Sequence, residues 1–108
     1  MRYLVEKKKV SKRTTKKKVS NNILKKVPVE ISFYFKDGTN CQDVLSLAEK
    51  IESMAEEHFQ NHVNEGKNDF AQWIEIVFKE PELANELRKT QNKDRHVIEI
   101  LKHLLKRV

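Results

Sequence analysis

One short stretch constrains the fold more than any other part of this chain. Between Asn68 and Phe78, five large apolar residues recur at intervals that place them on one face of an α-helix. They are Phe70, Trp73, Ile74, Val77 and Phe78. Either Asn68 or Asp69 could cap the N-terminus of this helix by accepting backbone N–H bonds. We therefore expect the helix, which carries the only Trp of the chain, to form the centre of a hydrophobic core.

The residues before this helix predict a short β-hairpin at the start of a domain that spans residues 28–108. From Val29 to Lys36 apolar and polar residues alternate, which predicts a half-buried strand. Asp37-Gly38 predicts a tight turn, after which residues 39–41 could pair back as a second strand. Because two strands alone are marginally stable, the hairpin must lie on helices or pair with another segment.

Apolar periodicity predicts four or five short helices after the hairpin. We expect two of them at about residues 43–52 and 54–63, because Ser53 begins a capping-box pattern, although one continuous helix is an open alternative. Gly66 is expected to end this segment as a helix C-cap residue, and Pro81 opens the helix after the central one. The fold class is therefore predicted as α+β and mostly α.

The last predicted helix carries more apolar surface than a monomer of this size needs. Asp94 is expected to cap it, and its apolar face comprises Val97, Ile98, Leu101, Leu104, Leu105 and Val108. We predict Leu101, Leu104 and Leu105 as candidate protein-interface residues, together with Tyr34 on the polar face of the first strand. A homodimer or another protein partner, bound through this helix or through the strand edge, is one function that the sequence allows.

Charge divides the chain into two unlike parts. Residues 1–27 hold 11 Lys and Arg against one acidic residue, Glu6, for a net charge of +10. Residues 28–108 hold 11 Lys and Arg against 15 Asp and Glu, for a net charge of −4. Like-charge repulsion and a low apolar content oppose packing of the first part. The sequence therefore predicts a basic, largely disordered arm joined to a mildly acidic domain.

The arm predicts association with nucleic acid, because clustered lysines neutralise phosphates whatever the base sequence. The candidate binding residues are Lys7, Lys8, Lys9, Lys12, Arg13, Lys16, Lys17, Lys18, Lys25 and Lys26. DNA, RNA and a ribosome remain open as partners. A merely solvated tail is the alternative, and we expect no membrane partner because no lipidation motif accompanies the lysines.

The sequence offers little for enzyme or metal chemistry. Its two glycines build no phosphate-binding loop, and Cys41 as the only Cys excludes an internal disulfide and a Cys-based zinc site. His58 and His62 are spaced to share one helix face, but no third ligand accompanies them. We therefore expect no catalytic residue, no metal site and no cofactor. We also expect a cytoplasmic location, because no signal peptide or membrane span is evident.

Several short runs of adjacent residues between positions 31 and 88 resemble a known family. The residues are Phe33-Tyr34-Phe35, Asp37-Gly38, Leu47-Ala48, His62-Val63, Asn68-Asp69-Phe70-Ala71, Trp73-Ile74, Val77-Phe78 and Leu83-Ala84. This pattern resembles a family of small prokaryotic domains, many of them archaeal, that has no assigned activity. Its members occur both as small proteins and as appendages of larger ones. The resemblance implies an accessory or interaction module and transfers no catalytic residue.

Overall fold

The computed structural model describes residues 23–108, which form a mostly helical α+β fold with two short hairpins and five helices. A 3-10 turn at Val29–Ile31 precedes β1 (Phe33–Tyr34), β2 (Asn40–Cys41), α1 (Val44–Ser53), α2 (Glu56–His62), β3 (Val63–Asn64), β4 (Lys67–Asn68), α3 (Asp69–Phe78), α4 (Pro81–Arg88) and α5 (Lys93–Leu105). The antiparallel pairs are β1 with β2 and β3 with β4. This architecture confirms the predicted fold class. Most of the arm of residues 1–27 that the sequence predicts to be disordered, residues 1–22, lies outside the described residues.

Helix α3 lies in the core, as its apolar periodicity predicts. Phe70, Trp73 and Ile74 are no more than 2% exposed. Asn68 caps the helix, because its Oδ1 accepts a 2.9 Å hydrogen bond from the backbone N–H of Ala71. The helix ends at Lys79, whose left-handed backbone conformation turns the chain into α4.

The segment between the two hairpins forms two helices, which confirms the two-helix interpretation. Asp43 caps α1 by accepting a hydrogen bond from the backbone N–H of Ser46 at 2.8 Å. The capping box predicted at Ser53 is wrong, because the Ser53 hydroxyl donates to the carbonyl oxygen of Lys50 and closes the end of α1. The cap position of α2 is Ala55, which makes no side-chain hydrogen bond.

The first strand is shorter than the alternation of residues 29–36 predicts. The Val29 carbonyl accepts hydrogen bonds from the hydroxyls of Ser32 and Tyr34, at 2.8 and 3.0 Å. The Ile31 carbonyl accepts one from the indole N–H of Trp73 at 2.9 Å. These contacts curl the chain into a 3-10 turn and use carbonyl groups that a longer strand would have paired. Val29 is consequently 49% exposed instead of facing the core.

A second hairpin stands where a helix terminus was expected. Val63–Asn64 pairs with Lys67–Asn68, and Gly66 lies in the connecting turn. The side-chain oxygen of Asn64 accepts a 3.0 Å hydrogen bond from the Gly66 N–H, which stabilises the turn. This hairpin delivers Asn68 directly to the start of α3.

Helix α5 starts two residues earlier than predicted, and its buried face differs from the predicted one. Asn92 is its cap, with Oδ1 accepting from the backbone N–H of Arg95 at 2.7 Å, so the assignment to Asp94 is wrong. The buried face of α5 consists of His96, Ile100, His103 and Leu104. Four apolar side chains of the predicted face are instead exposed: Ile98, Leu101, Leu105 and Val108. We call these four residues the α5 stripe.

The packed body begins before the boundary predicted at Pro28. Ile23 is 1% exposed and belongs to the core, and Val27 packs against it. The backbone N–H of Val27 donates to the Gln42 carbonyl at 2.8 Å, and the Gln42 side-chain amide donates back to the Val27 carbonyl at 2.9 Å. Ile23 and Val27 therefore attach the chain beside the first hairpin.

Candidate functional site

A cleft of about 570 Å³ opens between the first hairpin, the end of α1 and one face of α2. Its wall carries seven polar side chains: Lys36, Asp37, Lys50, Ser53, His58, Asn61 and His62. The two histidines that sequence spacing singled out therefore reach the same cavity. A volume of this size lies within the range of small-molecule sites, so we take this cleft as the candidate site.

His62 is the most constrained polar side chain of the cleft. Its Nδ1 lies 3.0 Å from Oδ2 of Asp69, an oxygen that also pairs with the Lys67 ammonium at 3.2 Å. The imidazole ring packs against the rings of Phe33 and Phe70, with centroids 5.5 and 5.1 Å away. Because a carboxylate accepts the Nδ1 proton, the other ring nitrogen, Nε2, is left for a ligand.

Asp37 and Lys50 form an ion pair at the opposite side of the cleft. The Lys50 ammonium lies 3.1 Å from Oδ2 of Asp37 and 5.1 Å from the centre of the Phe35 ring. Oδ1 of Asp37 accepts from the backbone N–H and the hydroxyl of Thr39, at 2.9 and 2.6 Å. The Thr39 hydrogen bonds, assisted by Lys50, hold the pKa of Asp37 well below its usual range. Asp37 is therefore a permanent anion whose oxygens are already occupied.

A buried polar network behind the cleft was missed from the sequence. The Asn68 amide donates to Nε2 of His96 at 2.9 Å and to the Leu87 carbonyl at 3.3 Å. Nδ1 of His96 lies 2.9 Å from the Asn92 carbonyl, so this nitrogen carries the proton and the ring is neutral. Burial lowers the pKa of His96. The helical spacing of His96 from Ile100 and His103 was the available signal.

A second buried group joins the C-terminal helix to the α3–α4 corner. Glu80 is 6% exposed, and its Oε1 accepts a 2.6 Å hydrogen bond from the Arg107 guanidinium. Nε2 of His103 lies 3.4 Å from the same oxygen and makes no hydrogen bond with the described residues. The Glu80–Arg107 contact thereby links the C-terminal residues to the α3–α4 corner.

The predicted nucleic-acid residues fall mostly outside the described chain. Only Lys25 and Lys26 lie within residues 23–108, and both are exposed. The other eight lie outside it: Lys7, Lys8, Lys9, Lys12, Arg13, Lys16, Lys17 and Lys18. The interaction of all ten with nucleic acid stays a prediction.

The predicted interface residues differ in their exposure to solvent. Leu104 is 7% exposed and packs in the core, so it leaves the candidate interface. Leu101 and Leu105 are 39% and 70% exposed and belong to the α5 stripe. Tyr34 is 53% exposed, although its hydroxyl is bonded to the Val29 carbonyl. Each strand of the first hairpin has two residues, so the strand edge offers little surface.

A metal site and a membrane-spanning helix were also searched for within residues 23–108. No group of three or more His, Cys, Asp or Glu side chains in that range is placed to hold a metal ion. Within the same range no helix is long and apolar enough to cross a membrane.

Comparisons with protein-family models, with curated proteins and with solved structures find no match to this chain. The resemblance of residues 31–88 to a prokaryotic domain family therefore stays a prediction. Function has to be argued from the residues of this chain.

Proposed function

We propose that this protein is a non-enzymatic, nucleic-acid-associated protein that binds the phosphate backbone through its Lys-rich N-terminal segment. The observation that carries the proposal is the division of charge, +10 over residues 1–27 against −4 over residues 28–108. Each neutralised phosphate releases counterions, so affinity should depend steeply on salt and little on base sequence. The acidic body repels the same polyanion and leaves the contact to the segment.

Lys25 and Lys26 indicate where such a contact would meet the body. Both follow the buried anchor Ile23, both are exposed, and neither forms an ion pair with another residue of the described range. Their ammonium groups are therefore available to an external anion. Binding would be directed to the side of the molecule where Val27 bonds to Gln42.

Two charge-matched triple variants of the full chain test the proposal. Changing Lys16, Lys17 and Lys18 to Gln should flatten the plot of log affinity against log salt by roughly 2 to 3 units. The control changes three exposed lysines of the body, each of which pairs with a carboxylate: Lys67, Lys89 and Lys102. It removes the same net charge and should leave the slope nearly unchanged. Equal slopes for both triple variants in mobility-shift titrations would reject the proposal.

A second candidate function rests on a different observation, the exposed α5 stripe. Within α5, Ile98, Leu101 and Leu105 follow one another at intervals of three and four residues, the spacing of a coiled-coil seam, and Val108 follows after the end of the helix. We propose a second copy of this chain as the occupant, because a two-fold axis lets the same stripe cover itself. Arg95 and Lys102 flank the stripe, and pairing of both with Glu99 weakens the repulsion between facing copies.

The dimer should be weak, because four side chains are far fewer than the roughly 20 to 30 residues per side of a stable interface. In sedimentation velocity over a concentration series, Leu105→Lys should abolish any concentration-dependent increase in mass. Val29→Lys is the control, since Val29 is an exposed apolar residue outside the stripe. A wild-type chain that stays monomeric throughout the series would exclude this function.

A further inference from the structure

Three polar side chains of the cleft have no partner within the described chain. Lys36, His58 and Asn61 line it, and their side-chain nitrogens make no hydrogen bond or ion pair with residues 23–108. They lie on two different elements, because Lys36 follows β1 whereas His58 and Asn61 are one turn apart on α2. The cleft therefore presents free hydrogen-bond donors from both of its sides.

The remaining polar groups of the cleft are fixed and add no free negative charge. Asp37 is the one carboxylate among the described lining residues, and Lys50 and Thr39 occupy its oxygens. The Lys50 ammonium balances the charge of Asp37, which leaves the Lys36 ammonium as the uncompensated charge of the cleft. His62 lines the cleft and is held through Nδ1 by Asp69, so Nε2 is its ring nitrogen without a partner in the described range.

We propose that this cleft binds a phosphate monoester. Lys36 and Asn61 would donate to the phosphate oxygens, and Nε2 of His62 would accept a phosphate hydroxyl proton or donate after protonation. A phosphate monoester offers three terminal oxygens, one more than a carboxylate has in total, and a higher negative charge, both of which favour it for donors on both walls. At about 570 Å³ the cleft also has room for the group attached to the phosphate.

The proposal is independent of the Lys-rich segment, because all of its residues lie between Phe35 and Asp69. Two sources share the required chemistry: a free small phosphate ester, and the terminal phosphate of a nucleic acid strand. The experiment distinguishes them with two short oligonucleotides of the same sequence, one with a 5′-phosphate and one with a 5′-hydroxyl. High salt during this comparison suppresses backbone binding through the lysines.

Imidazole resonances of the full-length protein provide the test. Titration with inorganic phosphate and with a nucleoside 5′-monophosphate, at constant ionic strength, should shift the His58 and His62 signals along a saturable curve. The buried His96 and His103 signals serve as internal references and should stay in place. Dissociation constants on the order of 1 mM are expected for so open a site. Linear shifts without saturation for both probes would overturn the proposal.

Exposed substitutions that leave the core intact separate the site from general charge effects. Lys36→Gln and Asn61→Ala should each weaken binding roughly two- to fivefold, as expected for loss of one exposed polar contact. Lys89→Gln removes the same charge as Lys36→Gln outside the cleft, and should have no effect. Equal weakening by Lys36→Gln and Lys89→Gln would refute the site. Tighter binding of the 5′-phosphorylated strand would assign the source to nucleic acid ends, and equal binding of both strands to a free ester.

Discussion

Replacing Asn68 by Ala should destabilise the protein by about 2–4 kcal/mol, although the side chain is small and polar. Losing the cap of α3 costs about 1 kcal/mol. Losing the amide donor also leaves Nε2 of His96 unpaired at a position that is 0% exposed. An orphaned buried acceptor costs a further 1–3 kcal/mol or so. Urea unfolding followed by the fluorescence of Trp73, which is 2% exposed, would measure the sum.

Asn92 provides a matched control on the neighbouring helix. Its side chain caps α5 with the same geometry, but its contact with His96 is made by the backbone carbonyl, which an Ala substitution retains. Asn92→Ala should therefore cost only about 1 kcal/mol. The difference between the two variants isolates the buried network. Equal losses of stability would refute the reasoning, because they would show that His96 needs no donor from Asn68.

Three further predictions concern the buried polar and thiol groups. The pKa of His96 lies below its ordinary 6.5, so its stabilising contribution is complete above that pH and is lost as the pH falls, by at most about 1.4 kcal/mol per pH unit. Asn68→Asp should shrink or reverse this loss in urea titrations, because a carboxylate favours the imidazolium form. Burial raises the pKa of Cys41 to about 11, so iodoacetamide at mildly alkaline pH should label it only after unfolding, as read by mass spectrometry. Glu80→Gln should lower the free energy of unfolding by about 1–3 kcal/mol, since Arg107 loses its anionic partner; an unchanged urea midpoint would contradict this.

Apolar periodicity predicted the helices because each is long enough to show a repeat of three and four residues. The Phe70, Trp73 and Ile74 spacing was sufficient to place α3 in the core. The hairpin at Val63–Asn68 could not be found in this way, because strands of two residues cannot display a period of two. The end of the first strand depended on Trp73, a residue more than 40 positions away that binds the Ile31 carbonyl.

The candidate site was only partly predictable, because contacts between residues far apart in the sequence form it. Helical spacing placed His58 and His62 on one helix face, and in the structure both line the same cleft. The other lining residues, among them Lys36, Lys50 and Asn61, come from the first hairpin, α1 and α2, and only tertiary packing brings these elements to one cleft. The apolar face of α5 was misjudged because it was predicted from aliphatic residues alone, whereas His96 and His103 belong to the buried face. The Asn68 amide makes burial of His96 possible.

The brevity of the strands has a consequence for how this molecule could self-associate. Every strand between residues 23 and 108 has two residues, so no exposed edge in that range is long enough to template cross-β growth. Unwanted aggregation of the folded state would therefore proceed through side chains on a helix surface. Such assembly would be reversible by dilution and would bind amyloid dyes poorly.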